Sequence, residues 1–480
     1  MTAPFGRMSS ARLVRLLGAW RARGARQGSA GLAAGIRLLV LDGQLPPGTG
    51  LPAERELAAA LGVSRTLVGA AWDVLRAEGL ITSRRGSGTW TTLPSRPGRP
   101  GEPPNTEAID LARAAPDAPP GVAQAFDAVR CRFGVELRGH GYHELGLPEL
   151  RERIAERFTA RGVPTGPEHI LVTNGAHHAL ALVLRALAGP GDRVLVEQPT
   201  YPNAIDAIRA AHAVPVAVPL PEEGGWDLDG VEAALRQAAP RLVYAIVDFQ
   251  NPTGHRLDAE GRARLAALAR RARTPLVVDE TQVELDFGDP ADAPPAMAAV
   301  DGGSVITVGS ASKSHWGGLR VGWVRAHEET IGALAAARHA FDLGSPVYEQ
   351  LVLAELYRDP LPLLADRVTD LAGRRDALVA ALREHCPDWT FTVPSGGLAL
   401  WCGLPGPMST RLAVSAQNHG VRIVPGSRFG VHGGLERRLR LPYTLPAPRL
   451  VEAVRRLAVA AAAVAGSSEG LRPDGLVPVA

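Results

Sequence analysis

From about residue 109 onward, short apolar runs alternate with amphipathic helical segments, and no other pattern restricts the fold of this chain as tightly. The clearest runs are Ile170–Thr173, Arg193–Glu197, Val214–Val218, Leu242–Val247, Leu276–Asp279, Val305–Val308 and Val321–Val324. Strands that alternate with helices pair mainly in parallel, because each crossover helix returns over the sheet and buries its faces. A mainly parallel α/β sheet is therefore expected within residues 109–465. Its last part, about 360–465, predicts a smaller α+β unit with strands at Ala399–Cys402 and Val421–Val424. At 480 residues the chain is too long for one ordinary core, so two or three domains are expected. Residues 466–480 predict a disordered tail, and no internal repeat is present.

The front of the chain follows different rules. Residues 30–92 predict a compact core within a domain spanning 1–92. A helix from about Ala30 to Leu41 ends at Asp42-Gly43, and Pro52-Ala53-Glu54-Arg55 opens a second that stops at Gly62. Ser64 caps a third helix running to Glu78, with Leu67, Val68, Ala71 and Leu75 at helical spacing. Leu80-Ile81-Thr82 and Thr89-Trp90-Thr91 then flank Arg84-Arg85-Gly86-Ser87-Gly88, a hairpin with a basic tip. The Pro/Gly-rich stretch within 93–108 predicts a stiff linker.

Charge separates these two parts. Residues 1–100 hold fourteen arginines against five acids, a balance of +9, so the remainder carries 3 − 9 = −6. A basic front on an acidic body suits a polyanionic partner, although a solvated basic face gives the same count. Two helices joined by a short turn have helix-turn-helix geometry, which sends the start of the third helix into the major groove of operator DNA. There Arg65 can fork onto a guanine edge, while Ser64 and Thr66 suit phosphates. Arg84 and Arg85 at the hairpin tip would follow the backbone or minor groove. A three-helix interaction module without DNA is the bland alternative. The run DGQLPPGTGLPAERELAAALGVSRTLVGAAWDVLRAEGLITSRRGSGTW resembles the GntR family of bacterial regulators. The resemblance implies that Arg55, Arg65 and the wing Arg84–Gly88, with Gly86 at its tip, contact DNA. It also implies that Glu54 and Glu56 open their helix and do not read bases.

Of 52 basic residues, one is a lysine, Lys313. Arginine can replace lysine wherever only charge is needed, but its guanidinium does not deprotonate to form a Schiff base. A single lysine among so many arginines thus points to amine chemistry. It lies in Ser310-Ala311-Ser312-Lys313, just beyond a strand's carboxyl end, where open α/β sheets bind ligands. An aldehyde cofactor such as pyridoxal phosphate needs an amine, phosphate donors, an acid for its ring nitrogen and a partner for its ring oxygen. Gly175, Ala176 and His177 open a helix after a strand and can hold the phosphate, with Ser310, Ser312 and Arg320 completing the clamp. Asp279 ends an apolar strand, where pairing with a pyridinium would compensate its burial. Asn251 can bond the ring oxygen, Tyr201 can stack on the ring, and Arg440 offers a fork for an effector carboxylate. Most have an ordinary alternative: a strand-end cap or ion pair for Asp279, a plain turn for Asn251, a core aromatic for Tyr201. Their order around one lysine is what binds them together.

Residues 109–462 resemble the fold-type I aminotransferases, and the fusion to a GntR-type head resembles the MocR-type regulators. That resemblance implies a homodimer with each pyridoxal phosphate site near the subunit interface. One position departs from it. The family usually places a tyrosine two residues after the ring aspartate, whereas this chain reads Asp279-Glu280-Thr281. Losing that phenol puts efficient transamination in doubt more than cofactor binding.

Three cysteines, Cys131, Cys386 and Cys402, show neither metal-ligand nor disulfide spacing, which predicts no metal site and a reducing cytoplasm. The start MTAPFGRMSS lacks a signal-peptide pattern, and no apolar run is long enough to span a bilayer. The leading expectation is a regulator that senses an amino compound through external aldimine formation at Lys313. A working aminotransferase with an accessory head, and a DNA-binding protein whose body is only a scaffold, are the alternatives.

Overall fold

The computed structural model describes residues 5–18, 28–84, 88–92, 108–221, 224–301 and 303–469. The sheet of the body contains seven strands. In spatial order they are Ile170–Thr173, Gly322–Arg325, Val305–Ser310, Leu276–Asp279, Leu242–Ala245, Arg193–Gln198 and Val214–Pro219. All pair in parallel except Gly322–Arg325, which runs antiparallel between its two neighbours. Ile170–Thr173 and Val305–Ser310 are buried at every position, as strands covered on both faces must be. Two apolar clusters fill the two faces. One gathers Val172, Leu195, Val243, Val278 and Val305, and the other Leu171, Val194, Leu242, Val277 and Val308. Every predicted run except one opens within its strand. Val321 lies just outside, and the last strand continues to Arg325.

The smaller unit departs further from expectation. The Val421–Val424 run divides into Val421–Arg422 and Val424–Pro425, which belong to different sheets. Pro425 has no N–H to donate, and its strand lies at the edge of a sheet completed by Arg438–Pro442 and Ala399–Gly403. Val421–Arg422 pairs instead with Ile109–Asp110. The first residues after the linker region therefore belong to this unit's core, where Ile109 and Leu111 are fully buried. The final helix, Ala447–Glu469, reaches into the stretch expected to be a tail, and residues 470–480 lie outside the described residues. So does most of the expected linker, residues 93–107.

In the head, helices Ser29–Leu41, Glu54–Leu61 and Arg65–Ala77 precede a hairpin of Ile81–Arg84 with Gly88–Thr91. The second and third helices meet at 118°, within the range of a helix-turn-helix. Gly62 makes that turn at a positive φ of 63°, and the Ser64 hydroxyl caps the next helix by accepting from the Leu67 amide. The head also extends before residue 30. Phe5–Arg7 pairs with Thr49–Leu51, and helix Ser10–Leu17 inserts Leu13 and Leu17 into the core around Trp72. The helix spans only eight residues, so packing is what reveals it.

Candidate functional site

Lys313 sits in a single π-helical turn, Ser312–Trp316, directly after Val305–Ser310. π-turns widen a helix locally and recur at functional sites. Its ammonium nitrogen donates to the Ala114 carbonyl at 2.7 Å. Burial, with Arg440 nearby, lowers its pKa to about 8 despite the opposing charge of Asp279. About a tenth of the amine is thus unprotonated at pH 7, far more than for an ordinary lysine, as a nucleophilic lysine requires.

Lys313 lines a cleft of about 540 Å³ together with Tyr201, Asn251, Asp279, Ser310, Ser312, Arg320 and Arg440. Ala176 and His177 also line it. Gly175 stands just before them, at the N-terminus of helix Ala176–Leu187, with φ of 90°. A Cβ there would fall 2.8 Å from Nη2 of Arg320, so only glycine lets the guanidinium approach this backbone. Arg320 donates to the Asn174 carbonyl at 2.7 Å. A helix N-terminus beside an arginine makes a ready anion cradle. Burial and then Arg320 lower the His177 pKa, which favours the neutral imidazole. The Ser310 hydroxyl is already engaged. It donates to the Val321 carbonyl at 3.2 Å and accepts from the Ser312 amide at 3.2 Å.

Asp279 is clamped on both oxygens. Oδ2 accepts from the Tyr244 hydroxyl at 2.8 Å, and Oδ1 accepts from the amide and hydroxyl of Thr281 at 2.9 and 2.5 Å. Tyr244 was missed in the sequence, although a tyrosine inside an otherwise aliphatic buried strand is itself a signal. Burial, together with the Asp279 charge, pushes its phenol well above the ordinary value, so it stays a donor. Tyr201 begins helix Pro202–Ala210, and its hydroxyl accepts from Asn203 at 2.9 Å.

Arg440 projects from strand Arg438–Pro442. It donates to Asn251 Oδ1 at 3.3 Å and to the Ala112 carbonyl at 2.6 Å. Its buried Nε has no hydrogen-bond partner among the described residues. That is an unmet buried donor on a side chain that lines the cleft. With Oδ1 of Asn251 taken by Arg440, the amide hydrogens of Asn251 remain for a ring oxygen. Arg428, Phe429 and the segment Ala112–Ala115 also line the cleft, and the sequence did not point to them. An amine, a clamped carboxylate, an amide and an anion cradle around one cleft fit pyridoxal phosphate. No group of His, Cys, Asp or Glu among the described residues could hold a metal.

On the head, Arg55, Ser64, Arg65, Thr66 and Arg84 are all exposed. Arg65 is paired with Glu54 at 3.2 Å while its side chain stays 67% exposed. Glu54 therefore does more than open its helix: it also pairs with Arg65. Arg85 and Gly86 lie outside the described residues.

Comparisons with known proteins agree with this geometry. Residues 118–457 match the family Aminotransferase class I and II, and residues 29–90 match the bacterial regulatory proteins of the gntR family. The chain is 35% identical over 318 residues to a 2-aminoadipate transaminase of Thermus thermophilus, covering 65% of this chain and 79% of that one. It is 30% identical over 431 residues to the probable rhizopine catabolism regulatory protein MocR of Rhizobium meliloti, covering 83% and 86%. Among solved structures it is similar to the α-aminoadipate aminotransferase LysN of Thermus thermophilus, in complex with N-(5'-phosphopyridoxyl)-L-leucine. The TM-score is 0.69 at 32% identity, over 75% of this chain and 94% of that one. The body thus has the fold-type I architecture, whose cofactor is pyridoxal phosphate. The chain belongs to the aminotransferase class I and II family, and within it to the MocR-type regulators that join this fold to a gntR-type DNA-binding head.

Proposed function

We propose that this protein is a transcription regulator that binds operator DNA through its head and senses a carboxylate-bearing amino compound in its body. With pyridoxal phosphate bound, the effector's amine would take the place of Lys313. The observation that carries this reading is the placement of the chain's one lysine in the same cleft as Asp279 and the unmet Nε of Arg440. When bound, the cofactor supplies a carbon that amines can reach and a ring that accepts electron density. The chain's own residues do the rest. Lys313 would hold the cofactor and give way to an incoming amine, Asp279 would pair with the ring nitrogen, and Asn251 would donate to the ring oxygen. Gly175, Ala176, His177, Ser312 and Arg320 cradle the phosphate. Arg440 fixes the effector's carboxylate, and Tyr201 packs on the ring. On DNA, Arg65 reads a base, Ser64 and Thr66 meet phosphates, Arg84, Arg85 and Gly86 follow the backbone or minor groove, and Arg55 is a further contact.

The protein acts as a cytoplasmic homodimer in this reading. Support comes from exposed apolar side chains on the body, with Leu137 69%, Val135 64% and Phe341 51% accessible. Among the described residues no single helix is long and apolar enough to cross a membrane.

The transaminase similarity favours a second reading, catalytic turnover with an accessory head. Against it, Thr281 bonds to Asp279 and supplies no phenol to the ring oxygen. Borohydride treatment followed by peptide mapping tests the shared premise: the label should fall on Lys313, and an unlabelled Lys313 removes the cofactor reading. An absorbance screen of amino compounds then separates the two. A band shift without multiple turnover supports the regulator, and sustained keto-acid production supports the enzyme.

A further inference from the structure

One loop of the body is shared by the cleft and the head. Its first part, at Arg428 and Phe429, lines the cleft. The buried Phe429 ring lies 5.1 Å from the guanidinium carbon of Arg440. Its later part holds the head's turn Asp42–Pro47. A Cβ on Gly433 would fall 2.3 Å from Pro46 Cγ, and one on Gly43 would fall 2.0 Å from Glu436 Oε1. Neither glycine leaves room for a side chain, so turn and loop are in direct van der Waals contact. Arg411 pairs with Asp42 beside them.

Arg428 belongs to both surfaces. Its Nη2 donates to Asp206 at 3.2 Å, and its Nη1 donates to the Pro47 carbonyl at 3.5 Å. On the head side this turn is tied to the base of the wing. The Pro46 carbonyl accepts from Thr49 and Thr91 hydroxyls at 2.7 and 2.5 Å, and the Gly48 amide donates to the Thr91 carbonyl at 2.7 Å. Thr91 ends the second wing strand.

We infer that Arg428 is the positioning residue that reports a carboxylate in the cleft to the DNA-binding head. The inference rests on the function proposed above and names the route of its regulation. A carboxylate on Arg440 neutralises the cation that faces Phe429, weakening that desolvated contact. Phe429 and Arg428 are chain neighbours, so a shift of the ring moves the guanidinium. A guanidinium is a rigid fork, and turning one edge toward the cleft or toward Asp206 takes the other edge from Pro47. The head's turn then has different contacts in the two states, which is the requirement for coupling.

The test uses the full-length, cofactor-loaded protein with two probes, aminooxyacetate and methoxyamine. Each replaces Lys313 on the cofactor. The C=N bond to Nζ breaks, a C=N bond to the probe nitrogen forms, and that nitrogen's two hydrogens pass to Nζ, which leaves as the free amine. Only aminooxyacetate brings a carboxylate. Absorbance reports the exchange, and hydrogen–deuterium exchange of the 42–51 peptide reports the turn. Aminooxyacetate should change exchange in that peptide several-fold, and methoxyamine should not. In Arg428→Met molecules whose spectrum shows reaction, the aminooxyacetate response should vanish, and Arg428→Lys, which keeps charge without the fork, should not restore it. The inference is overturned if the wild-type peptide ignores aminooxyacetate, if methoxyamine moves it equally, or if Arg428→Met responds like wild type. Absence of any spectral change with either probe defeats the cofactor reading itself, and this inference with it.

Discussion

The Tyr244 hydroxyl donates to Asp279 Oδ2 at 2.8 Å from the neighbouring parallel strand, while Thr281 occupies Oδ1. The carboxylate is thus oriented by two residues, one on the neighbouring strand and one two positions further along its own chain. Tyr244→Phe should remove a hydrogen bond from the half-buried Asp279 carboxylate, costing about 1 kcal/mol of stability. It should also shift the pH midpoint of the visible cofactor band. A midpoint identical to wild type would show that Tyr244 only packs.

Lys313 gives the pH prediction. Its lowered pKa of about 8 means the reactive neutral amine accumulates as pH rises toward that value and is nearly complete above it. Attachment of pyridoxal phosphate to cofactor-stripped protein, followed by stopped-flow absorbance, should accelerate about tenfold per pH unit well below the pKa. It should level off above it. A rate still climbing through the ordinary lysine range would contradict the burial effect. Lys313→Arg keeps charge and should show no visible band.

At the DNA face, Arg65→Ala should weaken binding to the cognate operator by about 1–3 kcal/mol and relax specificity at one base position. Glu54→Ala removes the partner of Arg65, so it should lower discrimination between operator and random DNA with little loss of non-specific affinity. Titrations at matched salt on both DNAs measure this. Equal effects of Arg65→Ala on both would make Arg65 a phosphate contact.

Structural stability has a clear weak point in the body. Arg262 and Asp248 are each 1% exposed and paired at 2.5 Å, with Arg256 also on Asp248 at 3.1 Å. Arg262→Ala strands part of a buried charge and opens a cavity, and should cost about 3–5 kcal/mol by denaturant unfolding. A change below about 1 kcal/mol, the range of exposed pairs, would mean that water reaches Asp248.

Much of the site was readable because its residues occupy strand ends. Lys313, Asp279 and Asn251 each follow an apolar run, and topology carries such positions to one edge of a parallel sheet. Gly175 was readable because it follows an apolar run and opens a helical one, and its φ of 90° accounts for a glycine there. Tyr244, Arg428 and Phe429 were not, because their roles depend on neighbours far away in sequence. The N-terminal strand and helix were not readable either, since each is too short for its pattern to stand out.

Residue order alone was enough for the two-part architecture and the mainly parallel sheet, and it singled out Lys313 as the candidate amine. These follow from periodicity, from turn residues and from an amine that arginine cannot imitate. Tertiary structure alone decided which groups aim Asp279 and Arg440, that Ile109–Asp110 joins the small unit, and that Arg428 touches both cleft and head. The physical reason is that side-chain hydrogen bonds depend on distances of a few ångströms between residues separated by hundreds of positions. Local sequence patterns carry no such distances, and only the packed chain sets them.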